Sequence, residues 1–350
     1  VKSIVQADPA RRVVIVSAAG KRFSDDHKLT DLLYLCYAHL KYGVSCDSVF
    51  HMIRSRYIEI RDHLELKTDL ETEFDALRRK MDAGISQDEL VSRGEYFAAK
   101  LMADYLGYDF LDSELWLKFN LDGTVDQEKS YEILARMASG RRVVIPGFYG
   151  AMPDGSIKTF TRGGSDITGA LVAGAMDAQI YENWTDVDGM LVTDPRIVPQ
   201  AAPLHAITYR ELRELAYRGA SVLHEDSVVP VRRSGIPIHI CNTFRPQAPG
   251  SWIVKEAKET PAPITGIAGR RNYSTIQIER ENTNSMVGYV RRILSCLEQL
   301  GIPFEHLATG LGSVCLVVPT QALEAHRAQL QEAIFQAIHP DSLVISDGLP

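Results

Sequence analysis

Short β-branched runs that end in small-residue loops, each followed by helical periodicity, constrain the fold of this chain more than any other sequence feature. The run RRVVIVSAAGKR at 11–22 predicts a buried strand at Val13–Ser17, and RRVVIPGFYG at 141–150 predicts another. Strands that alternate with helices indicate a mostly parallel sheet covered on both faces. We therefore expect an α/β protein, a three-layer αβα sandwich.

The last third of the chain follows a different order of elements. Alternating apolar runs and helical periodicities predict strand, helix, strand, strand, helix, strand, at Ile276–Glu279, Ser285–Leu300, Glu305–Thr309, Val314–Val318, Gln321–Ala337 and Ser342–Ser346. This βαββαβ order is ferredoxin-like. The stretch SWIVKEAKETPAPITG at 251–266 is polar and contains proline, which is typical of a connector. We therefore predict domains at 1–255 and 264–350.

Several local signals position further elements. Capping boxes at Ser86–Glu89 and at Thr208–Glu211 each predict the start of a helix. The Asp154–Gly155 pair predicts the turn of a hairpin. Residues 46–84 are charge-rich with helical spacing and predict an all-α excursion between strands.

Composition narrows the class of protein. A length of 350 residues suggests two domains, and a net charge of -7 without a basic stripe argues against nucleic-acid binding. No apolar run approaches the length of a membrane span. Five cysteines are scattered without a CxxC pair, which favours reduced thiols and a cytoplasmic protein. The chain starts at Val1 within a predicted helix and stops soon after a strand-like run, so we expect both ends to be truncated.

The stretch TFTRGGSDIT at 159–168 places two glycines and two opposite charges where a helix should begin. Gly163 and Gly164 would let an anion approach the N–H groups of the helix terminus. Arg162 could grip a carboxylate, and Asp166 could orient a cationic group or a metal. The alternative is an ordinary glycine loop in which Asp166 caps the helix. The stretch lacks the GxxxxGK[ST] pattern of a Walker A loop.

A second concentration of charge occurs in WTDVDGMLVTDPR. Asp186, Asp188 and Asp194 lie within nine positions, and such carboxylates suit Mg²⁺ that is itself held by nucleotide phosphates. The alternative is that each aspartate only forms a turn, as Asp-Gly and Asp-Pro do.

Glu95 follows Gly94 inside a predicted helix. Glycine lowers helix stability by about 1 kcal/mol relative to alanine, so we expect another group to approach the helix closely at Gly94. The alternative is that Glu95 is a solvated glutamate on the exposed face of the helix.

These pieces, in this order, resemble the aspartate kinases of the amino acid kinase superfamily. The resemblance covers essentially the whole chain and rests on the collinear motifs VVIVSAAGKR, TDLL, VSRGE, GFYG, TRGGSDIT, WTDVDGMLVTDPR, ELAYRGASVLHEDSVVPVRRSGIPIHICNTF and ITGI. The trailing βαββαβ resembles an ACT regulatory module. The resemblance implies that ATP, with Mg²⁺, phosphorylates L-aspartate to 4-phospho-L-aspartate. This reaction is the entry step of lysine, threonine and methionine biosynthesis.

The resemblance also implies roles for individual residues. Positions that hold aspartate or organise the reacting groups match Ser17, Thr30, Glu95, Arg162 and Asp166, with Arg162 on a substrate carboxylate and Glu95 on its ammonium. Donors near the transferred phosphate match Gly163, Gly164 and Ser165. The ATP-binding strand end matches Thr185, Asp186, Asp194, Pro195 and Arg196. No protein-built metal site is assigned.

The ACT-like segment implies regulation. Asn284, Ser285, Met286 and Gly288 fall at a predicted helix N-terminus that would favour a ligand carboxylate, and Glu305 could take the ligand's ammonium. We expect lysine or threonine to bind here and inhibit, at the interface of a homodimer that could pair further into a tetramer. The alternative is a capped helix without a ligand.

The sequence also departs from the family pattern. The family's initial Lys-Phe-Gly-Gly-Ser motif is absent, so the fragment is expected to be inactive or impaired without it. Ser221 stands where relatives often have lysine, and a second ACT-like unit is expected beyond the end. Two other functions stay open at this point: a non-catalytic amino acid sensor with a kinase-like fold, or another amino acid kinase.

Overall fold

The computed structural model of the chain describes residues 1–161, 163–217, 223, 225–256, 264–281 and 286–349. The chain divides into two compact units, residues 1–268 and 269–350. Within the described residues, no helix has the length and apolar character needed to cross a membrane.

The first unit alternates strands and helices along the chain. Its strands are β1 Val13–Val16, β2 Asp109–Phe110, β3 Val143–Pro146, β4 Tyr149–Ala151, β5 Ile157–Thr159, β6 Tyr181–Thr185, β7 Met190–Leu191, β8 Pro203–Leu204, β9 Ala206–Thr208, β10 Ile238–Asn242 and β11 Ser251–Val254. Its helices are α1 Lys2–Gln6, α2 Leu29–Lys41, α3 Asp47–His63, α4 Leu70–Asp82, α5 Gln87–Leu106, α6 Ser113–Trp116, α7 Gln127–Ala138, α8 Gly164–Ala175, α9 Tyr209–Tyr217 and α10 Val229–Ser234, with a 3₁₀ turn at Glu225–Val228.

Most strand pairs in this unit are parallel, as predicted. One sheet has the order β1-β3-β2 with both pairs parallel, and another has the order β6-β10-β11-β9 with only β10 and β11 antiparallel. The strands β4-β5 and β7-β8 form separate hairpins. In the described residues β1 and β6 are not hydrogen-bonded neighbours, so the mostly parallel strands are divided between these two sheets. A side-chain ion pair links the two sheets, between Arg11, which lies just before β1, and Glu182 of β6.

The predicted connector at 251–266 is partly wrong, because its first residues form β11. Ile253 is fully buried and Trp252 points to the other face, which is the alternation of a strand. Ser251 is buried as well, and its hydroxyl donates to the carbonyl of Leu204. The polar residues that suggested a connector start only at Lys255.

The helical excursion at 46–84 is confirmed as α3 and α4, which pack with α2 and α5 around an aromatic cluster. The rings of Phe74 and Phe97 stack with centroids 4.3 Å apart, and Tyr57 and Phe50 contact them. All four side chains are buried, so this cluster forms the core behind α5.

The two predicted capping boxes also begin helices in the structure. The Ser86 hydroxyl accepts the backbone N–H of Glu89, and the Thr208 hydroxyl accepts that of Glu211, whose carboxylate accepts in return from Thr208. Helix α8 begins at Gly164, with Gly163 as N-cap in the left-handed region. Asp166 therefore lies in the first turn of α8, and the alternative prediction that Asp166 is the N-cap of this helix is wrong.

The second unit has the predicted βαββαβ order. Its elements are β12 Tyr273–Glu279, α11 Tyr289–Gln299, β13 His306–Gly310, β14 Ser313–Pro319, α12 Thr320–Glu324, α13 Arg327–Ile338 and β15 Ser342–Leu349. The sheet has the order β13-β14-β12-β15, and all its pairs are antiparallel. Its buried face packs on α11 and α13 through residues such as Ile278, Leu316, Ile293 and Ile334.

Candidate active site

The carboxyl ends of β1 and β3 lie side by side, because the two strands are parallel neighbours. The backbone N–H of Gly147, just after β3, donates to the carbonyl of Val16 at 3.0 Å. Ser17 is exposed in the loop that follows β1. In open α/β proteins, ligands bind beyond the carboxyl ends of strands, so the candidate site starts here.

Helix α5 approaches this loop at Gly94. A Cβ at this glycine would lie 3.0 Å from the Cβ of Ala18 and 3.1 Å from the side chain of Leu33. The Tyr57 hydroxyl donates to the Gly94 carbonyl at 2.7 Å from inside the aromatic cluster. The close approach expected from a glycine inside a helix is therefore present, and it sets the distance between α5 and the β1 loop.

Glu95, the next residue on α5, is buried rather than solvated, so the exposed-face alternative is wrong. Only 6% of the residue is exposed, and its Oε2 atom has no hydrogen-bond partner among the described residues. Burial raises the pKa of the carboxyl to about 7, although the Ala18 backbone N–H acts in the opposite direction. A buried carboxyl with a free oxygen is well suited to receive a cationic group.

Thr30 lies in the first turn of α2 and is half-buried. Leu33 of the same helix is the side chain that contacts α5 near Gly94. Thr30 is thus on the helix that packs beside Glu95, but it makes no hydrogen bond to those other predicted residues that the structure describes.

The first turn of α8 packs against the β3 end. A Cβ at Gly147 would lie 2.5 Å from the Ser165 hydroxyl oxygen, and a Cβ at Gly164 would lie 2.7 Å from the Phe148 ring. The Phe148 backbone N–H also donates to the Thr168 hydroxyl at 3.1 Å. The N-terminus of α8 is therefore held at the end of β3.

The segment that enters α8 is anchored on α5. The Asp88 carboxylate accepts the Thr159 hydroxyl at 2.9 Å and its backbone N–H at 3.4 Å. The sequence analysis missed this contact of Asp88, since nothing in its local pattern distinguishes it from other acids in a first helical turn. Arg162, three residues after Thr159, lies outside the described residues, so its predicted contact with a carboxylate stays a prediction.

Asp166 faces β6. Its Oδ1 atom accepts a hydrogen bond from the Asn183 side-chain amide at 2.9 Å, and its backbone carbonyl accepts one from the Tyr181 hydroxyl at 3.3 Å. Sequence reasoning also missed Asn183. The available signal was a polar amide in the run YENWT, two residues before Thr185.

The ends of β6 and β10 meet because these strands are parallel neighbours. The Thr243 backbone N–H donates to the Thr185 carbonyl at 2.8 Å, and the Thr185 hydroxyl contacts the Asp186 carboxylate at 3.2 Å. Thr185 is half-buried and Asp186 is exposed. This strand end is the predicted place for ATP.

The three aspartates of the acidic loop do not converge on one point, because each has a different partner, and the Mg²⁺ expected here with the nucleotide phosphates stays a prediction. Asp188 pairs with Arg245 and accepts from the Asn242 amide at 2.7 Å, while Asp194 pairs with Arg196 at 2.6 Å. Within the described ranges, no group of three or more His, Cys, Asp or Glu side chains could hold a metal ion. The donors described here therefore do not form a protein-built Mg²⁺ site. Arg196 is mostly exposed, as is its neighbour Pro195.

The second unit contains an open cleft of about 350 Å³ beside the start of α11. It is lined by Met286, Gly288, Tyr289, Arg291, Thr309 and Ser313. Two of the predicted regulatory residues therefore line one cleft, whereas Asn284 and Ser285 lie outside the described residues, as does Ser221 in the first unit. Glu305 does not line the cleft, because it precedes β13 and accepts from the Tyr273 hydroxyl at 3.3 Å.

The chain matches a family model described as "Amino acid kinase family" over residues 1–242. Aspartokinase 3 of Bacillus subtilis is 33% identical over 99% of this chain and 80% of the relative. The chloroplastic aspartokinase 1 of Arabidopsis thaliana is 31% identical over 71% of this chain and 46% of the relative.

Solved structures of aspartate kinases are also similar to this chain. The aspartate kinase of Clostridium acetobutylicum, described as an allosteric enzyme, has a TM-score of 0.91 and 43% identity, covering 99% of this chain and 80% of its own. Aspartokinase III of E. coli, solved with aspartate and ADP, has a TM-score of 0.68 and 25% identity, covering 99% and 81%. The chain therefore belongs to the amino acid kinase family and, within it, to the aspartate kinases.

Proposed function

We propose that this enzyme transfers the γ-phosphoryl group of ATP to the side-chain carboxylate of L-aspartate. The observation that carries the proposal is the continuity of the site in the first unit. Glu95 lies against the β1 loop, the β3 end packs on the first turn of α8, and Asp166 in that turn bonds to β6. An amino acid and a nucleotide bound at these adjoining places would meet beside the helix terminus.

On the substrate side, Glu95 binds the ammonium group of aspartate. A cation beside the buried carboxyl would favour its ionised form and give its free oxygen a partner. Ser17 and Thr30 contribute hydroxyl groups, and Arg162 binds a substrate carboxylate in two-point fashion. The E. coli relative, solved with aspartate and ADP, supports this choice of ligands.

On the nucleotide side, Thr185 and Asp186 bind ATP at the carboxyl end of β6, together with Asp194, Pro195 and Arg196. The Arg196 guanidinium now donates to Asp194, so it would have to exchange this carboxylate for a phosphate. We propose that Mg²⁺ accompanies ATP and is held chiefly by the phosphates, since the described residues provide no cluster for it.

The chemistry needs two anions to approach in line, and the first turn of α8 reduces their repulsion. Gly163, Gly164 and Ser165 present backbone and hydroxyl donors where charge accumulates on the transferred group. Asp166 orients the reacting groups from the same turn. Positioning and charge neutralisation supply most of the catalysis in phosphoryl transfer, and no covalent intermediate is required.

An assay that couples ADP formation to trapping of the acyl phosphate as a hydroxamate tests this proposal. We expect hydroxamate that depends on both ATP and aspartate, and little with glutamate. ADP release without hydroxamate would contradict it. Binding of aspartate without ADP release would instead favour the amino acid sensor.

We also propose that an amino acid regulates the enzyme through the cleft of the second unit. The N-terminus of α11 and the Arg291 side chain both favour a ligand carboxylate there. The allosteric description of the Clostridium relative supports regulation in general. Lysine or threonine is the proposed effector, in keeping with an entry step to their biosynthesis and a cytoplasmic enzyme.

Glu305 can serve this ligand only from a second chain. It lies at one end of β13, whereas Thr309 and Ser313 of the cleft lie at the other, and five residues of strand span roughly 17 Å. We therefore propose a homodimer through the second unit, with the possibility of further pairing into a tetramer.

Titration calorimetry with lysine and with threonine, combined with sedimentation, tests the regulatory proposal. We expect one of the two to bind, and Glu305→Gln to weaken that binding without changing the basal rate. A lack of heat with both amino acids would remove the proposal.

A further inference from the structure

Asn183 is a half-buried polar residue at the edge of the sheet β6-β10-β11-β9. It lies in the middle of β6, a strand paired in parallel with β10. Strands of parallel sheets are covered on both faces and usually carry β-branched or other apolar side chains. A polar amide at such a position needs a specific partner.

The alternation of β6 assigns its side chains to two faces. Glu182 and Trp184 point to one face, where the Glu182 carboxylate accepts from both Arg11 and Trp184. Tyr181 and Asn183 point to the other face, toward α8. The amide is thus aimed at the helix terminus and away from the Arg11 ion pair.

The partner of the amide is the carboxylate of Asp166. Asn183 Nδ2 lies 2.9 Å from Asp166 Oδ1 and 3.3 Å from the Tyr181 hydroxyl oxygen, which itself donates to the Asp166 carbonyl. A Cβ at Gly169 would lie 2.6 Å from the same hydroxyl oxygen, so β6 and α8 are as close as side chains allow. One side-chain and one backbone oxygen of Asp166 are therefore both held by β6.

We propose that Asn183 is a positioning residue of the phosphotransfer reaction, whose amide fixes the direction of the Asp166 carboxylate in the site. The inference rests on the proposed function, in which Asp166 orients the reacting groups. The amide suits this task because it donates without carrying a charge, whereas a second carboxylate would repel Asp166 and an apolar side chain would offer it no hydrogen bond.

Two substitutions test the inference. Asn183→Asp keeps the shape and removes the donor, and Asn183→Leu removes it without adding a charge. We expect both to lower kcat by about 10- to 100-fold, because displacements near 1 Å at reacting groups have effects of this size. The KM values for ATP and aspartate should change less than about threefold, because an interaction that acts only in the transition state affects kcat.

The matched control is Glu182→Gln, one residue earlier on the same strand but on its other face. It should leave kcat and both KM values unchanged. Tyr181→Phe removes the bond to the Asp166 backbone and the 3.3 Å contact with the Asn183 amide, but it keeps the Asn183–Asp166 bond. It should therefore have a smaller effect on kcat than either Asn183 variant.

The outcomes are distinguishable. A wild-type protein without aspartate-dependent hydroxamate would contradict the proposed function itself. An active wild type, with Asn183 variants that keep kcat per folded molecule and lose only thermal stability, would show that the amide is structural and overturn the inference. If neither variant folds, a crystal structure of the wild type with ADP and aspartate decides: a retained Asn183–Asp166 bond supports the inference, and an Asp166 carboxylate turned away from Asn183 overturns it.

Discussion

At the scale of single residues, Glu95 combines an energetic cost with a proposed role. Its carboxyl pKa is raised to about 7 by burial, compared with an ordinary value near 4.5. The folded protein therefore holds this proton more tightly than the unfolded chain. The free energy of unfolding should fall as the pH rises from about 4.5 to about 7, by about 3 kcal/mol in total for this group.

Glu95→Gln removes this titration. We expect its free energy of unfolding, relative to wild type, to improve by about 3 kcal/mol between pH 5 and pH 8, while the KM for aspartate rises at least about tenfold because the ammonium loses its partner. Urea unfolding at both pH values and steady-state kinetics measure the two effects. A difference in stability that stays constant with pH would show that Glu95 does not titrate in this range.

The pH dependence of wild-type kinetics should reflect the protonation of Glu95. Ammonium binding requires the ionised carboxylate, so the KM for aspartate should fall as the pH rises through about 7. The profile of Glu95→Gln should be flat over this range. An unchanged slope in the variant would assign the titration to another group.

Tyr57 is expected to act on Glu95 through the backbone. Its hydroxyl donates to the Gly94 carbonyl, and Tyr209 makes the same kind of buried bond to the Ile236 carbonyl, elsewhere in the first unit. Tyr57→Phe and Tyr209→Phe should each cost about 1 kcal/mol of stability. Only Tyr57→Phe should raise the KM for aspartate. Equal kinetic effects would mean that both tyrosines only stabilise the fold.

At the scale of elements, the site depends on how closely the β3 end meets α8. A methyl group at Gly147 would lie 2.7 Å from the Cα of Ser165, and this backbone atom cannot move without displacing the helix. We expect Gly147→Ala to lower stability by about 1–3 kcal/mol and kcat by at least about tenfold.

Gly20→Ala is the matched control for this prediction, because Gly20 follows the neighbouring strand β1 and an added Cβ there meets nothing within 4 Å. Thermal unfolding and steady-state kinetics of the two variants provide the comparison. A neutral Gly147→Ala would mean that the loop and the helix can separate without loss of function.

The elements that the sequence predicted well are those determined by local signals. The capping boxes and the βαββαβ order depend on side chains near in sequence, and both are present. Strand β11 was missed because only Ile253 and its alternation with Trp252 marked it, beside a long polar run. The burial of Glu95 and the pairing of Asp188 with Arg245 depend on residues far apart in the chain, so no local pattern could reveal them.

At the scale of the whole molecule, the two units can be followed separately. All three tryptophans, Trp116, Trp184 and Trp252, belong to residues 1–268, so tryptophan fluorescence reports the unfolding of the first unit alone. Calorimetry detects both units. This difference allows a ligand to be assigned to the unit that it stabilises.

We expect an ATP analogue to raise the midpoint temperature of thermal unfolding that is followed by tryptophan fluorescence. The effector amino acid should raise the temperature of a transition seen by calorimetry, with a smaller change in the fluorescence midpoint. At a hundred times its Kd, either ligand should add about 2.7 kcal/mol to the free energy of unfolding of the unit that binds it.

If the effector inhibits by weakening substrate binding, aspartate and the ATP analogue must weaken effector binding by the same factor, because coupling between two sites is reciprocal. Calorimetric titration of the effector with and without these ligands measures that factor. A factor of one would mean that the effector does not act on substrate affinity.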